Sequence, residues 1–303
     1  MDLAAFKPDP ADICIHHYGI HSEAADAFGK CRCRKVLLYH NVTPARFFRG
    51  YDDALAARLD QARALLPALA GSCAAVWAAS RFNAQDLADM GVAGASVFPL
   101  PFDPGPLDVK PEPVVAARLG GPLTNILFVG RIAPNKRIED LILAFAWYNK
   151  ALDPFSRLVL VGSSRSAPSY FAMLRMLAVE LDLPNVCFED FASQPGLAAC
   201  YESARVFVSA SEHEGYCLPL VEAMYKGVPV IARASGGMPE ALGGAGALYE
   251  GLTPPELAAL IRRVARETPL RAEMLAAQRT RVAEILARDV AAELRSLIDP
   301  LAR

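Results

Sequence analysis

Short apolar runs alternate with longer mixed stretches along this chain of 303 residues. Such runs are typical of strands buried on both faces, and the stretches between them are long enough for helices. The pattern therefore predicts an α/β fold built from βαβ units with parallel sheets. The predicted strands are 13–16, 35–40, 75–79 and 96–99 in the first third, then 126–129, 158–161, 186–188, 206–209, 229–232 and 247–249. The predicted helices are 52–70, 139–148, 170–181 and 197–203, and helices dominate from residue 254 onwards.

Prolines recur between Pro99 and Pro113, where they block both helices and central strands. This stretch is the predicted boundary between two domains. The prediction is an N-terminal domain over 1–104, a linker over 105–122, a C-terminal domain over 123–285 and a final helix over 286–303 that packs back on the N-terminal domain.

Composition excludes several classes of protein. Apolar residues make up 53% of the chain and the net charge is −2, which argues for a large core and against general nucleic-acid binding. The seven scattered cysteines favour reduced thiols in a cytoplasm over a disulfide framework. A cluster of His and Cys residues near the N-terminus fits no standard zinc spacing, and we expect no metal there: His16, His17, His21, Cys31 and Cys33.

Three loops follow predicted strands of the second half, at 130–137, 162–165 and 211–218. Because the carboxyl ends of parallel strands meet at one edge, we expect these loops to line one ligand crevice. The first loop carries Arg131, Lys136 and Arg137, and two or three cations at a strand end suit a diphosphate. The alternative for this loop is a solvated basic turn.

The third loop leads into a segment with two carboxylates, Glu214 and Glu222, on either side of a predicted helix start. Gly215 allows a close approach of the backbone to a ligand, and Pro219 suits a first helical turn. Carboxylates suit hydroxyl groups and a helix N-terminus suits an anion, so a sugar joined to a diphosphate fits both. Alternatively, Glu222 is an exposed helical residue and Glu214 is an N-cap.

Several segments together resemble retaining glycosyltransferases of family four. These segments are Val129-Gly-Arg131 with Lys136, Val161-Gly162, the run from Glu214 through Glu222-Ala-Met and Gly227-Val-Pro-Val-Ile231. The run Tyr39-His-Asn-Val-Thr-Pro44 resembles a bacterial polysaccharide and mannosyltransferase subgroup. The resemblance implies the GT-B fold, with two Rossmann-like doubly wound domains facing a cleft.

The resemblance also implies roles for matched positions. Arg131 and Lys136 neutralise the donor diphosphate, and Glu222 accepts hydrogen bonds from the ribose. Glu214 and His40 lie near the transferred sugar, which makes His40, Arg131, Lys136 and Glu214 the expected catalytic residues. The further expected donor-binding positions are Gly130, Gly162, Phe191, Gly215, Tyr216, Cys217 and Leu218.

The implied function is transfer of a hexose, with mannose as first choice, from a GDP- or UDP-sugar to a hydroxyl of a glycan or lipid-linked acceptor. No metal or other cofactor is expected, because Arg131 and Lys136 neutralise the charge of the diphosphate. The expected location is the cytoplasm, with peripheral contact at the inner face of the membrane as a further expectation. The alternative is a non-catalytic or partner-dependent nucleotide-sugar-binding module. A sugar epimerase or a phosphorylase fits the motifs less well.

The first half departs from the family pattern. It has four predicted strands, whereas a complete doubly wound domain has about six. The Tyr39-His-Asn-Val-Thr-Pro44 run also lies nearer the N-terminus than the resemblance implies. We therefore expect an incomplete N-terminal domain, in which a partner chain or a second copy covers an unpaired sheet edge.

Overall fold

The computed structural model describes residues 7–189 and 193–302, which pack into two units. The first unit contains the described residues up to Pro101, together with the segment Glu214–Tyr216 and the residues from Ala287 onwards. The second unit contains the rest of the described chain, Phe102–His213 and Cys217–Leu286. Each unit has its own parallel sheet.

The sheet of the first unit has the order β1-β2-β3-β4, and all its strands are parallel. All four predicted strands are present, with ends shifted by one or two residues. Within the described part of the chain, β1 pairs only with β2, and the incompleteness of this domain stays a prediction. The elements are β1 (Ile13–Tyr18), α1 (Glu23–Lys30), β2 (Arg34–Tyr39), α2 (Asp53–Gly71), β3 (Ala75–Ala78), α3 (Arg81–Asp89) and β4 (Ser96–Val97).

The sheet of the second unit has the order β10-β9-β8-β5-β6-β7 and is also parallel throughout. Its central strands are buried apolar runs, as the sequence pattern predicts. Its elements are α4 (Pro113–Leu119), β5 (Thr124–Val129), α5 (Ile138–Trp147), β6 (Ser156–Val161), α6 (Pro168–Glu180), β7 (Val186–Glu189), α7 (Gln194–Ser203), β8 (Val206–Ser209), α8 (Leu218–Tyr225), β9 (Val230–Arg233), α9 (Met238–Leu242), β10 (Ala247–Tyr249), α10 (Pro254–Arg266) and α11 (Thr268–Leu286). The final helix, α12 (Val290–Ala302), belongs to the first unit.

Helix α4 begins at the last proline of the proline-rich stretch and lies inside the predicted linker 105–122. Proline fits here because Pro113 occupies the first turn of the helix, where its missing N–H costs nothing. The helix packs against α7 of the same unit. A proline therefore marks the start of this helix, and the presence of prolines in the segment does not argue against a helix.

The last helix, α12, packs on the sheet of the first unit. Its apolar side chains recur at helical spacing and cover a buried cluster formed by Val36, Leu38, Trp77 and Phe98. The covering side chains are Val290, Leu294, Leu297, Ile298 and Leu301. Just before the helix, Arg288 donates hydrogen bonds of 3.2 Å to the carbonyl of Pro99. Residues that are distant in sequence thereby complete the core of the first unit.

Introducing a charge at this contact should release the helix. Leu297→Asp places a carboxylate against the apolar cluster, and we expect α12 to lose its protection from hydrogen exchange while the sheet of the second unit keeps its own. The control is Ser296→Asp, which adds the same charge at the adjacent, exposed position. Equal protection of 290–302 in both variants would show that this packing does not hold the helix.

Candidate functional site

Three adjacent strands of the second unit end at one edge of its sheet. Strand β5 lies between β8 and β6, and all three run parallel. The loops at 130–137, 162–165 and 210–217 follow these strands, so the structure brings together the three loops that the sequence singles out. This edge is the position at which open α/β sheets bind ligands.

Two glycines lie at this edge, and together they form what we call the glycine surface. Gly130 and Gly162 follow β5 and β6, with φ of 157° and 145°. A Cβ on Gly162 would lie 1.9 Å from the carbonyl oxygen of Gly130, far inside van der Waals contact. The N–H of Ile132 donates to the carbonyl of Ser163 at 2.9 Å and joins the same two loops. Only glycine allows this packing at position 162.

Helix α8 starts at the same edge from a strained residue. Its N-cap, Cys217, has φ 75° and makes no side-chain capping bond. A non-glycine residue in this left-handed region costs about 1–2 kcal/mol and is typical of functional sites. Pro219 lies in the first turn, as predicted. The N-cap is therefore not Glu214, and the positive end of the helix dipole lies beside the glycine surface.

Glu222 lies one turn inside α8 and is half-buried. The hydroxyl of Tyr201, on α7, donates to its Oε2 at 2.7 Å. Burial raises the pKa of Glu222, and the hydrogen bond from Tyr201 opposes that rise. Burial, followed by the adjacent carboxylate, also raises the pKa of Tyr201, so the phenol keeps its proton. Glu222 is therefore not an exposed helical residue, but a carboxylate held in a fixed orientation.

The loop after β5 carries the two expected cations. Arg131 is exposed and Lys136 is half-buried, in a short 3-10 turn formed by Pro134–Lys136. The buried Asn135 holds this turn to the loop after β8. Its Nδ2 donates to the carbonyl of His213 at 3.0 Å, and its own carbonyl accepts from the N–H of Glu212 at 2.9 Å.

Arg137 has a structural role, although its sequence position suggested a third phosphate ligand. It has φ 51° and precedes α5, where a cation opposes the helix dipole. The unfavourable interaction of the Arg137 charge with the helix dipole is compensated by ion pairs of 2.9 Å with Glu139 and 3.1 Å with Asp140. Both carboxylates lie in the first turn of α5, where they also favour the dipole. Phe191, the position expected near the nucleotide base, lies outside the described residues.

In the first unit, a hydrogen-bond network fixes the segment that follows β2. The hydroxyl of Tyr39 donates to Asp86 at 2.5 Å and accepts from the N–H of Val42 at 3.0 Å. Arg63 pairs with both carboxylate oxygens of Asp86, at 2.8 and 3.1 Å. Asn41, at φ 87°, donates to Asn83 at 2.9 Å. The Tyr39-His-Asn-Val-Thr-Pro44 run is therefore a rigid loop.

His40 lies directly after β2, at the carboxyl end of that strand as the sequence predicts. Its Nε2 is 2.7 Å from Nδ1 of His17 on β1. Burial, with a smaller contribution from His17, lowers the pKa of His40 to about 4. His40 is therefore a neutral imidazole at neutral pH, able to exchange hydrogen bonds with hydroxyl groups.

The segment Glu214–Tyr216 packs with the first unit. The hydroxyl of Ser80 donates to the carbonyl of Gly215 at 2.6 Å. A Cβ on Gly215 would lie 2.4 Å from the carbonyl oxygen of His40, so the close approach that requires glycine is to this backbone. The same Ser80 is the N-cap of α3, and its side chain accepts from the N–H of Asn83. Glu214 is half-buried beside this contact and Tyr216 is buried.

Neither a metal cluster nor a membrane span is found among the described residues. No group of three or more His, Cys, Asp or Glu side chains is placed to hold a metal ion. No helix in the described ranges is long and apolar enough to cross a membrane.

The model of the family described as glycosyl transferases group 1 matches residues 119–281, just over half of the chain. The chain belongs to this family. The match contains the glycine surface, both cations, helix α8 and Glu222. The resemblance that the sequence motifs carry is thereby confirmed.

Curated relatives support the same family. A D-inositol 3-phosphate glycosyltransferase of Thermomonospora curvata is 39% identical over 175 residues, which cover 54% of this chain and 39% of that protein. A GDP-mannose-dependent alpha-mannosyltransferase of Mycolicibacterium smegmatis is 39% identical over 111 residues, covering 36% of this chain and 25% of that protein. The matched part of this group 1 glycosyltransferase thus spans well under half the length of these relatives.

Solved structures show the fold. Sucrose-phosphate synthase from Thermosynechococcus elongatus superposes with a TM-score of 0.73 at 22% identity, covering 95% of this chain and 73% of that one. Anabaena Alr3699/HepE, solved in complex with UDP-glucose, superposes with a TM-score of 0.71 at 22% identity, covering 90% and 75%. The prediction of a GT-B fold with Rossmann-like domains is confirmed.

Sequence reasoning missed several residues of the site in this glycosyltransferase. Tyr201 and Asn135 hold functional groups through hydrogen bonds to partners 21 and 78 residues away. His17 was considered only as a metal ligand, and Arg63 not at all. One local signal was present for His17. It follows the predicted strand 13–16, and His40 ends the next predicted strand, 35–40, so both are expected at the same end of neighbouring parallel strands.

Gly162→Ala should strongly destabilise the second unit. The added Cβ meets the Gly130 carbonyl, and the backbone conformation is itself unfavourable for alanine, so we expect a loss of about 3–5 kcal/mol in the free energy of unfolding. The control is Gly244→Ala, where φ is 84° and the added Cβ has nothing within 4 Å. There the expected loss is about 1–2 kcal/mol. Equal losses in urea denaturation would contradict the backbone contact.

Proposed function

We propose that this chain transfers a hexose from a nucleoside-diphosphate sugar to an acceptor hydroxyl, with retention of configuration. The observation that carries the proposal is the half-buried Glu222, held by Tyr201 one turn inside a helix that starts beside the glycine surface. A carboxylate and a helix N-terminus at the same sheet edge fit a donor with both hydroxyls and phosphates. Membership of the group 1 family supports the same reaction class.

Glu222 is proposed to bind the ribose of the donor. A carboxylate has about four acceptor positions, and Tyr201 occupies one of them. The remaining positions accept hydrogen bonds from two adjacent hydroxyls, which the ribose supplies. Each hydrogen bond to a charged group contributes about 1.5–3 kcal/mol. The fixed orientation of Glu222 reduces the entropy lost when these bonds form.

The diphosphate is proposed to lie over the glycine surface, where no side chain at positions 130 or 162 intervenes. Arg131, Lys136 and the N-terminus of α8 then supply positive charge around it. When the donor breaks, the bond between the anomeric carbon and the diphosphate oxygen gives its electron pair to that oxygen. The developing negative charge is stabilised by groups already in place.

The transferred sugar is proposed to meet Glu214, the backbone at 215–218 and His40. Because His40 is neutral above its depressed pKa, it serves as a hydrogen-bonding group to sugar hydroxyls. The acceptor oxygen attacks the anomeric carbon from the face that the diphosphate leaves. The acceptor proton goes to the departing phosphate oxygen, so the step needs no protein nucleophile, metal or other cofactor.

GDP-mannose is our first donor candidate and UDP-glucose the second. The first follows from the polysaccharide-like Tyr39-His-Asn-Val-Thr-Pro44 run and from the GDP-mannose-dependent relatives. The second follows from Alr3699/HepE, whose structure contains UDP-glucose. The proposed acceptor is a glycan or lipid-linked hydroxyl. None of the seven cysteines, all of which lie within the described residues, forms a disulfide, which supports a cytoplasmic reaction. We propose peripheral membrane contact for a lipid-linked acceptor.

A donor panel tests the function directly. We expect one of GDP-mannose or UDP-glucose to raise the thermal midpoint more than ADP-glucose, because binding to the folded state alone stabilises it. Release of the nucleoside diphosphate from that donor then measures turnover. Stabilisation without turnover, with or without glycan acceptors, would favour the alternative of a non-catalytic or partner-dependent binding module. No stabilisation by any donor would overturn the donor site.

Two variants should separate binding from turnover. Glu222→Ala removes the ribose contact, and we expect nucleotide affinity to fall about 10- to 100-fold by calorimetry. Lys136→Ala should mainly lower turnover, about 100-fold, because its charge acts on the leaving diphosphate. The matched controls are Glu250→Ala and Lys150→Ala, which remove the same charges from exposed positions outside the site. Wild-type affinity and rate in both site variants would refute the assignment.

A further inference from the structure

His17 and His40 form a direct contact between two imidazole rings. Strands β1 and β2 pair in parallel with Tyr18 opposite Tyr39, and the N–H of His40 donates to the carbonyl of Tyr18 at 2.9 Å. This pairing places His17 Nδ1 2.7 Å from His40 Nε2, with the ring planes 20° apart. The short distance between the two nitrogens is that of a hydrogen bond.

Only one proton fits between these two nitrogens when both rings are neutral. If His40 donates through Nε2, its Nδ1 is an acceptor. If His17 donates through Nδ1, then His40 Nε2 accepts and His40 Nδ1 carries the proton as a donor. The contact therefore links the proton on His17 to the hydrogen-bonding character of the other nitrogen of His40. In either case it occupies Nε2 and leaves only Nδ1 for a ligand.

The backbone of His40 is fixed without help from His17. The neighbouring Tyr39 is held through Asp86 and Arg63, and the carbonyl of His40 lies against Gly215. The imidazole ring can still turn about its side-chain torsions. The contact with His17 is the described hydrogen bond that restrains it.

We infer that His17 is a positioning residue that holds the His40 ring in one orientation and one tautomer, so that Nδ1 faces the transferred sugar. The inference rests on the proposed glycosyl transfer for its consequence, but the ring contact is independent of it. Burial keeps His40 neutral at neutral pH, so its ring meets a bound hydroxyl as an uncharged hydrogen-bonding group. His17 acts through His40 and does not itself touch the reacting atoms.

The test compares His17→Phe, which keeps a flat ring but removes the nitrogen, with His17→Asn, whose amide lies close to the position of Nδ1. The matched control is His16→Phe, on the same strand, whose ring contacts Phe28 instead of His40. The first readout is the pair of 15N chemical shifts of His40, which reports its tautomer. We expect His17→Phe to shift the His40 tautomer populations, and His17→Asn and His16→Phe to preserve a single dominant tautomer.

The second readout is turnover of the donor that the panel selects. We expect kcat to fall about 10- to 100-fold in His17→Phe with KM nearly unchanged, and to recover substantially in His17→Asn. Unchanged His40 shifts in a folded His17→Phe would overturn the inference, as would altered shifts with full kcat. If wild type binds no donor, the proposed function fails. The shift measurement still decides whether His17 positions His40.

Discussion

Backbone packed directly against backbone is the constraint on which the candidate site depends. It occurs twice, at Gly162 against the carbonyl of Gly130 and at Gly215 against the carbonyl of His40. A Cβ at either glycine would lie at 1.9 or 2.4 Å from a carbonyl oxygen. The first contact joins the loops after two parallel strands, and the second holds the segment Glu214–Tyr216 within the first unit. Side chains are excluded from these positions, so the polar groups that line the site come from their neighbours.

The polar groups in these neighbouring segments are held by hydrogen bonds between buried partners. Burying such groups costs free energy, which the hydrogen bonds offset. Tyr201 is fully buried, and its hydroxyl donates a hydrogen bond to Glu222. Burial raises the pKa of Glu222. Asn135 is buried as well, and its side chain and carbonyl both bond to the loop after β8. Removing one partner leaves the other as a buried, unsatisfied polar group. The folding of the second unit therefore fixes the orientation of the Glu222 carboxylate and of the loop carrying Lys136.

The strands and most helices could be predicted because buried parallel strands are nearly continuous apolar runs. The loops of the second unit could be placed together for the same reason, since parallel strands end at one edge. Helix α4 was missed because prolines were interpreted as a linker, although proline suits a first helical turn. Tyr201, Asn135 and His17 were missed because their partners are distant in sequence and their residue types carry no local signature. The left-handed conformation of Cys217 could not be predicted, since nothing about a cysteine indicates positive φ.

Charge is distributed unequally between the two units, and this limits the chemistry of each. In the second unit the proposed ligands of the leaving group are two cationic side chains, Arg131 and Lys136. In the first unit, burial keeps His40 neutral, and Arg63 is bound to Asp86 in a structural pair. A neutral imidazole can orient a hydroxyl through a hydrogen bond. Such a hydrogen bond is weaker than the attraction between a cation and an anion. Under the proposed reaction, the electrostatic stabilisation that grows in the transition state therefore comes from the cationic side chains, and the role proposed for His40 is orientation. The hydrogen bond between His17 and His40 matters for that orientation alone.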